Sequence, residues 1–208
     1  IDLTSSSTGA HRPDVVAIND QLYLAYATND PSGFYLDIYD EDLNSIDSQI
    51  ELESGDYFPT DIRVSTDGTN FWYAYETAEV PAHECGHNFL NYALYSPSNL
   101  HSTPTVSVKN FFSGCLTTTE FITHPTNLPK NPVAVDDPTP LYYHNSYFIL
   151  VRAWSFDPYS PIQRVFRFDQ NFNKIGECQL NLSPALGGRM ESITQNSLVD
   201  IGDQVYLV

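Results

Sequence analysis

Three acidic residues recur at similar places in the chain. Asp14, Asp61 and Glu191 each stand at or near the start of a predicted β-strand. Paired carboxyl groups of this kind can cleave a glycosidic bond, one acting as acid and the other as base or nucleophile. Asp and Glu at the start of a strand also accept hydrogen bonds from backbone amides. The sequence therefore leaves a catalytic and a structural role open for these three residues.

A second constellation is the segment His83-Glu84-Cys85-Gly86-His87, which matches the H-E-x-x-H pattern. On a helix, its two histidines would share a face and bind zinc, with the glutamate as general base. Pro81 limits any helix here to about one turn, and the third ligand of extended zinc motifs is absent from the positions that follow. We predict no cofactor, and the weak metal candidates are His83, Glu84 and His87.

Short β-strands must position these residues. The chain has 14 Tyr and 12 Phe, and its 14 Pro and 10 Gly are scattered as punctuation, which favours strands joined by turns over helices. Two apolar runs, Asp14–Ile18 and Gln21–Ala27, flank the turn pair Asn19-Asp20 and predict a tight hairpin. The segment Ile201–Leu207 repeats Ile18–Leu24 with two changes and no gaps, which indicates a repeated unit.

The repeats predict an all-β fold made of four-stranded antiparallel units. Their approximate bounds are 1–53, 54–123, 124–182 and an incomplete 183–208 within a single domain, or a fragment of one. Such units fit the blades of a β-propeller, of which about three and a half are present. In the second unit we expect the outer strand at Leu116–Thr123, after an insertion at Ser98–Gly114. A leading strand at Ile1–Ser5 could complete the last blade, and a β-sandwich is the alternative fold.

The run I-D-L-T-S-S followed by R-P-D-V-V-A-I-N-D-Q-L-Y-L-A-Y resembles the repeats of sialidase-like propellers, the family marked by Asp-box repeats. The nearest approach to an Asp box is the segment Ser65–Trp72, which keeps Ser65, Asp67 and Trp72 in place. It lies between the first and second strands of its unit, whereas the family places its box between the third and fourth. We interpret it as a hairpin turn.

In a propeller, the loops before each first strand and those between the second and third strands emerge on one face. The resemblance implies that ligands bind on that face, at the axis, where sialidases hold a carboxylate with three arginines. On that face this chain offers at most two arginines. Convergent cations in an acidic protein suit a carboxylate or sulfate of a sugar, although ordinary salt bridges explain them equally well. The predicted ligand-binding residues are His11, Arg12, Tyr57, His124, Lys130, Tyr159 and Arg189.

Charge and composition limit the partners. The net charge of −17 repels phosphate backbones and anionic lipid, so we expect no nucleic-acid partner and no membrane insertion. No apolar run approaches the roughly 20 residues of a membrane span. The placement of Cys85, Cys115 and Cys178 predicts three free thiols, because the predicted strands keep them apart. We expect a secreted, periplasmic or cell-surface protein.

Together these patterns predict recognition of a glycan or another polar ligand by the loop face of a propeller. A glycoside hydrolase of sialidase-like type is one alternative, since a carboxylate pair would supply its chemistry. A non-catalytic scaffold for protein assembly is the other, and self-association could complete the propeller. A carbohydrate or another polar molecule or polymer is the predicted partner.

Overall fold

A computed structural model describes residues 9–54, 57–79, 88–114, 134–155, 160–180, 198–201 and 204–207. Fourteen β-strands and one 3-10 helix, Pro97–Asn99, lie in these ranges. The strands are β1 His11–Ile18, β2 Gln21–Asn29, β3 Ser32–Asp40, β4 Ser45–Ser54, β5 Tyr57–Thr66, β6 Phe71–Glu79, β7 Asn88–Tyr95, β8 Val106–Gly114, β9 Ala134–Tyr143, β10 Ser146–Ser155, β11 Ser160–Phe168, β12 Lys174–Leu180, β13 Leu198–Ile201 and β14 Gln204–Leu207.

The strands form three antiparallel sheets of four, each in sequential order, and a two-stranded hairpin. Sheet 1 holds β1 to β4, sheet 2 holds β5 to β8, and sheet 3 holds β9 to β12. The remaining pair is β13 and β14. The predicted all-β fold of four-stranded units is confirmed.

The predicted hairpin that opens sheet 1 is confirmed to the residue. Asn19 and Asp20 have φ values of 50° and 62°, and Ile18 pairs directly with Gln21. Two successive residues with positive φ make a type I′ turn, whose twist matches that of the flanking strands. Ile201 pairs with Gln204 in the same register, so the sequence repeat corresponds to a repeated hairpin.

The sheets pack face against face in chain order. One apolar cluster joins sheets 1 and 2 and includes Phe34, Leu36, Ile62 and Tyr75. A second joins sheets 2 and 3 through Trp72, Tyr147 and Phe172, among others. The innermost strands also meet in succession, since β1 contacts β5, β5 contacts β9 and β9 contacts β13. Blades stacked around their inner strands are the arrangement of a β-propeller rather than of a two-sheet sandwich.

The predicted outer strand of sheet 2 is wrong. The fourth strand is β8, Val106–Gly114, which pairs from Leu94↔Val106 to Asn88↔Gly114. It lies inside the segment that the sequence marked as an insertion. The chain rejoins the sheet at Thr105, whose amide donates a hydrogen bond to the Leu94 carbonyl at 2.8 Å. The predicted strands Leu116–Thr123 and Ile1–Ser5 lie outside the described residues.

Sheets 1 and 3 share one turn between their third and fourth strands. In sheet 1, Oδ1 of Asp40 accepts from the amides of Asp42 and Asn44, at 3.0 and 2.8 Å. In sheet 3, Oδ1 of Asp169 accepts from those of Asn171 and Asn173, at 2.8 and 2.9 Å. Hydrogen bonds from the side chain and then the amide of the following asparagine lower the pKa of both aspartates. These carboxylates therefore hold their own turns together.

The turn between β5 and β6 joins sheet 2 to sheet 3. It is a hairpin turn, as we interpreted the Asp-box-like segment to be. Tyr147 donates its hydroxyl to Oδ2 of Asp67, at 2.7 Å. Burial alone would raise the pKa of Asp67, but hydrogen bonds from the Asn70 side chain, the Tyr147 hydroxyl and the amides of Asn70 and Thr69 lower it below its ordinary value. The ionised carboxylate thus stabilises the contact between the two sheets.

This contact predicts acid sensitivity. Because the folded-state pKa of Asp67 is lowered, its stabilisation is present above the unfolded value of about 3.9 and is lost as the pH falls through the folded value. We expect Tyr147→Phe to lower the free energy of unfolding by about 1 kcal/mol at pH 7 and to lose less on acidification than the wild type. Urea denaturation between pH 7 and pH 3 measures both effects.

The matched control is Tyr142→Phe, because the Tyr142 hydroxyl donates to exposed Asn145 at 3.3 Å and makes no hydrogen bond to a carboxylate of the described residues. It should leave the acid dependence unchanged. An identical loss of stability for wild type and Tyr147→Phe between pH 7 and pH 3 would contradict the assigned role of Asp67.

Candidate functional site

The site candidates cluster where β1 and β5 begin, an end of the molecule that we call the loop face (residues 9–14 and 57–61). His11 Nε2 lies 3.4 Å from the Pro59 carbonyl, and Asp14 Oδ2 accepts from the Val64 amide at 2.9 Å. Moving along β1 from His11 to Asp14, the contacted residue of β5 moves in the same direction, from Pro59 to Val64. The first strands of sheets 1 and 2 therefore run side by side with their amino ends together.

Both strands begin earlier than the sequence indicated. We predicted first strands at Asp14 and Asp61, whereas β1 begins at His11 and β5 at Tyr57. His11 and Arg12 thus belong to a strand end rather than to a preceding loop. The reason is a break in register near the start of each strand, between His11 and Asp14 in β1 and between Pro59 and Asp61 in β5, which interrupts the alternation of side chains on which sequence patterns rely.

His11 bridges two segments of the loop face. Its Nδ1 lies 3.0 Å from the Gly9 carbonyl, while its Nε2 contacts the Pro59 carbonyl of sheet 2. His11 therefore contributes to the junction between sheets 1 and 2.

Arg12 occupies the bulge. His11 pairs with Ala27 and Asp14 with Ala25, so Arg12 and Pro13 together stand opposite one residue of β2. Arg12 has a φ of 53° and an exposed side chain. No hydrogen bond or ion pair joins its guanidinium to another described residue. A non-glycine residue in this conformation costs about 1–2 kcal/mol, and such strain clusters at functional sites.

Asp14 uses both carboxylate oxygens on backbone amides. Oδ1 accepts from the Val15 amide at 3.0 Å, and Oδ2 accepts from the Val64 amide of sheet 2 at 2.9 Å. The second bond crosses between sheets. This geometry gives Asp14 a structural task at the junction, whatever else it does.

That task predicts the effect of removing the carboxylate. Asp14→Ala leaves the part-buried Val64 amide without its acceptor, so the free energy of unfolding should fall by about 1–2 kcal/mol. Chemical denaturation measures it, with Asp42→Ala as the control because the side chain of that exposed residue makes no hydrogen bond within the described chain. If Asp14→Ala proved as stable as Asp42→Ala, the cross-sheet bond would not be a stabilising one.

Asp61 lies on the other side of sheet 2. Its strand partner is Glu76, and both side chains are buried, with 2% and 3% of their surface exposed. Arg63 Nη2 lies 3.7 Å from Asp61 Oδ2. Since side chains alternate along β5 and β6, these three residues share the face of Trp72 and Ala74, which points to sheet 3. Asp14 points to sheet 2, so Asp14 and Asp61 do not form a facing pair.

The structure thus brings His11, Arg12 and Asp14 together and separates Asp61 from them. The backbone of Tyr57 begins β5, and its side chain is not described. The remaining candidates lie outside the described residues: His83, Glu84, His87, His124, Lys130, Tyr159, Arg189 and Glu191. The H-E-x-x-H segment stands between β6 and β7, which pair antiparallel up to Ala78↔Asn88.

Sequence reasoning missed Arg63 and Glu76. The pattern Asp61-x-Arg63 within a strand places both side chains on one face, which is the signal that could have paired them. Glu76 had a weaker signal, since it interrupts the apolar run of β6. Only the register of β5 against β6 shows that Glu76 stands beside Asp61.

Further findings concern metals, thiols and membrane spans. No group of three or more potential metal ligands occurs in the described part of the chain. Cys178 is an exposed free thiol, and Cys85 and Cys115 lie outside the described ranges. No helix among the described residues is long and apolar enough to cross a membrane.

Four-stranded blades packed around successive inner strands define the chain as a portion of a β-propeller. No known protein family and no curated protein sequence matches it. Three of the solved structures that share the fold match the chain over nearly its whole length. They are an α-L-arabinofuranosidase of Clostridium thermocellum (TM-score 0.57, 12% identity), a β-fructofuranosidase of Bombyx mori (0.57, 10%) and a xylan β-1,4-xylosidase of Bacillus halodurans (0.59, 14%).

The matches cover 97%, 97% and 98% of this chain but only 61%, 41% and 37% of the three structures. The chain therefore spans less than two thirds of each. At these identities the likeness shows the fold. It supports a propeller class without supporting the sialidase-like features that the repeat rhythm suggested.

Proposed function

We propose that the loop face binds a glycan, with Arg12 as its principal cation. The observation that carries this proposal is the exposed guanidinium held on a strained bulge beside His11 and Asp14. Because Arg12 has no hydrogen-bond or ion-pair partner among the described residues, its fixed fork of donors can serve a carboxylate or neighbouring hydroxyl groups. Glycine would adopt the backbone conformation of Arg12 without strain. The presence of arginine at this position therefore points to a role for its side chain.

The ligand class comes from the proteins that share the fold. The arabinofuranosidase, the fructofuranosidase and the xylosidase are named for the saccharides they act on. A saccharide also suits the surroundings of Arg12, where polar groups of β1 and β5 meet at a sheet junction. Sialidase-type specificity is a narrower proposal that requires Lys130 and Arg189 to converge with Arg12.

A glycoside hydrolase is the second candidate, and the pair Asp61 and Glu76 favours it. Directly opposed residues of an antiparallel pair have Cβ atoms about 5 Å apart. Retaining glycosidases place their two carboxyl groups about 5–5.5 Å apart. Arg63 Nη2, 3.7 Å from Asp61 Oδ2, places a cation beside this pair. In this reading Asp61 and Glu76 form the reacting pair, and Asp14 is a structural residue.

A scaffold that assembles by completing its propeller is the third proposal. Analytical ultracentrifugation tests it directly, since a stable dimer at micromolar concentration would favour it. For all three proposals we place the protein outside the cytoplasm, at the cell surface, in the periplasm or secreted, in keeping with its acidity.

The experiment that separates these proposals titrates the whole chain with neutral and anionic oligosaccharides and follows binding by calorimetry. Binding that is weakened by Arg12→Ala supports glycan recognition by the loop face. Release of reducing sugar that is abolished by both Asp61→Asn and Glu76→Gln, with binding retained, supports the hydrolase. Binding unaffected by Arg12→Ala would refute the proposed role of the loop face.

A further inference from the structure

A second concave feature lies far from the loop face, on the outer rim of the molecule. An open cleft of about 660 Å³ separates the fourth strand of sheet 1 from the fourth strand of sheet 2. This volume is in the range of small-molecule sites. The cleft is lined by Leu52, Glu53, Tyr95, His101, Ser102, Thr103, Pro104, Ser107 and Lys109. The loop face is built on the first strands, about three strand spacings or 14 Å away.

The cleft exists because sheet 2 departs from the turn that its neighbours share. Sheets 1 and 3 join their third and fourth strands through the short turns closed by Asp40 and Asp169. Sheet 2 instead uses residues 96–105, which include the 3-10 helix. Four of the nine lining residues, His101 to Pro104, come from this connection. In repeat folds, an insertion confined to one repeat often carries binding.

The charges in the cleft are paired. Lys109 Nζ donates to Glu53 Oε2 at 2.8 Å, and His101 Nε2 lies 2.6 Å from Asp47 Oδ2. Glu53 is nearly buried, with 10% of its side chain exposed, whereas Lys109 is 58% exposed. The Glu53 contact accounts for one of the three donors of the ammonium group, and the carboxylate keeps a second oxygen. The Lys109 ammonium and the Glu53 carboxylate, a charged donor and a charged acceptor, therefore stand side by side in the cleft.

Adjacent hydroxyl groups of a sugar match this pair, because each hydroxyl can donate and accept at once. The hydroxyls of Ser102, Thr103 and Ser107 supply further polar partners, while Leu52 and Pro104 offer apolar surface to the C–H groups of a pyranose or furanose ring. An anionic ligand suits the cleft less, since Lys109 is already neutralised and the chain carries a net charge of −17.

We infer that this rim cleft is a second, non-catalytic binding site for a neutral oligosaccharide, with Lys109 and Glu53 as the pair that recognises adjacent hydroxyls. The inference shares with the proposed function only the class of ligand. It uses different residues on different strands, so either site can exist without the other.

The test titrates the whole chain with neutral linear xylohexaose and arabinohexaose, and follows amide shifts by NMR together with affinity by calorimetry. We expect shifts at Ser102, Ser107 and Lys109, and a loss of affinity at the cleft of at least about tenfold in Lys109→Met. Glu53→Gln should weaken binding similarly. The control is Lys174→Met, which removes an exposed lysine paired to Glu177 at 3.2 Å on sheet 3 and should leave binding unchanged.

The outcomes separate the two sites. Shifts at the cleft that persist in Arg12→Ala and disappear in Lys109→Met support the second site. Shifts confined to the loop face would overturn it and leave the proposed function standing. Shifts confined to the cleft would support the second site and count against the proposed function of the loop face. The absence of binding by both hexasaccharides would overturn the inference. Lys109→Met leaves the nearly buried Glu53 carboxylate without its cation, so the melting temperature should fall. The double variant Lys109→Met/Glu53→Gln removes both charges, so a thermal scan should show most of that loss recovered while binding at the cleft stays absent.

Discussion

Replacing Arg12 by glycine is expected to make the protein more stable and a poorer binder at the same time. Glycine adopts a φ of 53° without the steric cost that a Cβ atom imposes. Relief of that strain should raise the free energy of unfolding by up to about 1 kcal/mol. Loss of the guanidinium should weaken glycan binding about 10- to 100-fold, the worth of one charge-assisted hydrogen bond.

Two further variants at the same position separate strain from charge. Arg12→Ala keeps the Cβ atom, so it should lose binding without gaining stability. Arg12→Lys keeps the charge but not the planar fork, so it should retain part of the affinity. Urea denaturation and calorimetric titration on all three variants give the comparison. A glycine variant that bound as tightly as the wild type would mean that the bulge holds arginine for a reason other than a ligand.

The second large expected effect is a difference in stability between variants of two equivalent turns, one in sheet 1 and one in sheet 3. Leu43 and Phe172 occupy equivalent positions in the turns closed by Asp40 and Asp169, with φ values of 64° and 59°. Their surroundings differ. Leu43 is 39% exposed, whereas Phe172 is 7% exposed and stacks on Tyr147 with ring centroids 4.2 Å apart. The same backbone geometry thus carries a surface residue in sheet 1 and a core residue in sheet 3.

Glycine at the two positions should therefore have different results. At Leu43, relief of the positive φ offsets the partial loss of burial, so stability should stay within about 0.5 kcal/mol of the wild type. At Phe172, the loss of a buried aromatic ring costs about 3–5 kcal/mol. Relief of the positive φ recovers only about 1 kcal/mol of that cost. Urea denaturation of the two variants should show a difference of about 3 kcal/mol. Equal losses would mean that the turn, rather than the packing of Phe172 between sheets 2 and 3, sets the stability there.

Much of the fold could be predicted from local patterns. The turn pair Asn19-Asp20 specifies a hairpin because both residues tolerate positive φ, and the copy at Ile201–Leu207 shows that the unit recurs. The outer strand of sheet 2 could not be predicted in the same way. Val106–Gly114 follows a connection about twice as long as the equivalent turns, so the point at which the chain rejoins the sheet depends on its pairing with β7 rather than on a short turn.

The site was predictable only in part. His11, Arg12 and Asp14 stand together because they are neighbours in sequence, which needs no tertiary information. Asp14 of sheet 1 contacts one face of sheet 2, whereas the side chain of Asp61 lies on the opposite face of sheet 2, and this difference separates the two carboxyl groups. A bulge or a one-residue change in register moves a side chain to the opposite face, and the sequence does not reveal that shift.

By itself, then, the sequence determined most of the strands, the first hairpin with its later copy, and the cluster of polar residues that opens the first sheet. These depend on turn geometry and alternation within a few residues of one another. Tertiary structure alone decided that Asp14 joins sheet 1 to sheet 2, that Glu76 stands beside Asp61, and that residues 96–105 frame a cleft on the rim. Each of these contacts joins residues from different strands or sheets, and their positions follow from register and packing, which no local pattern encodes.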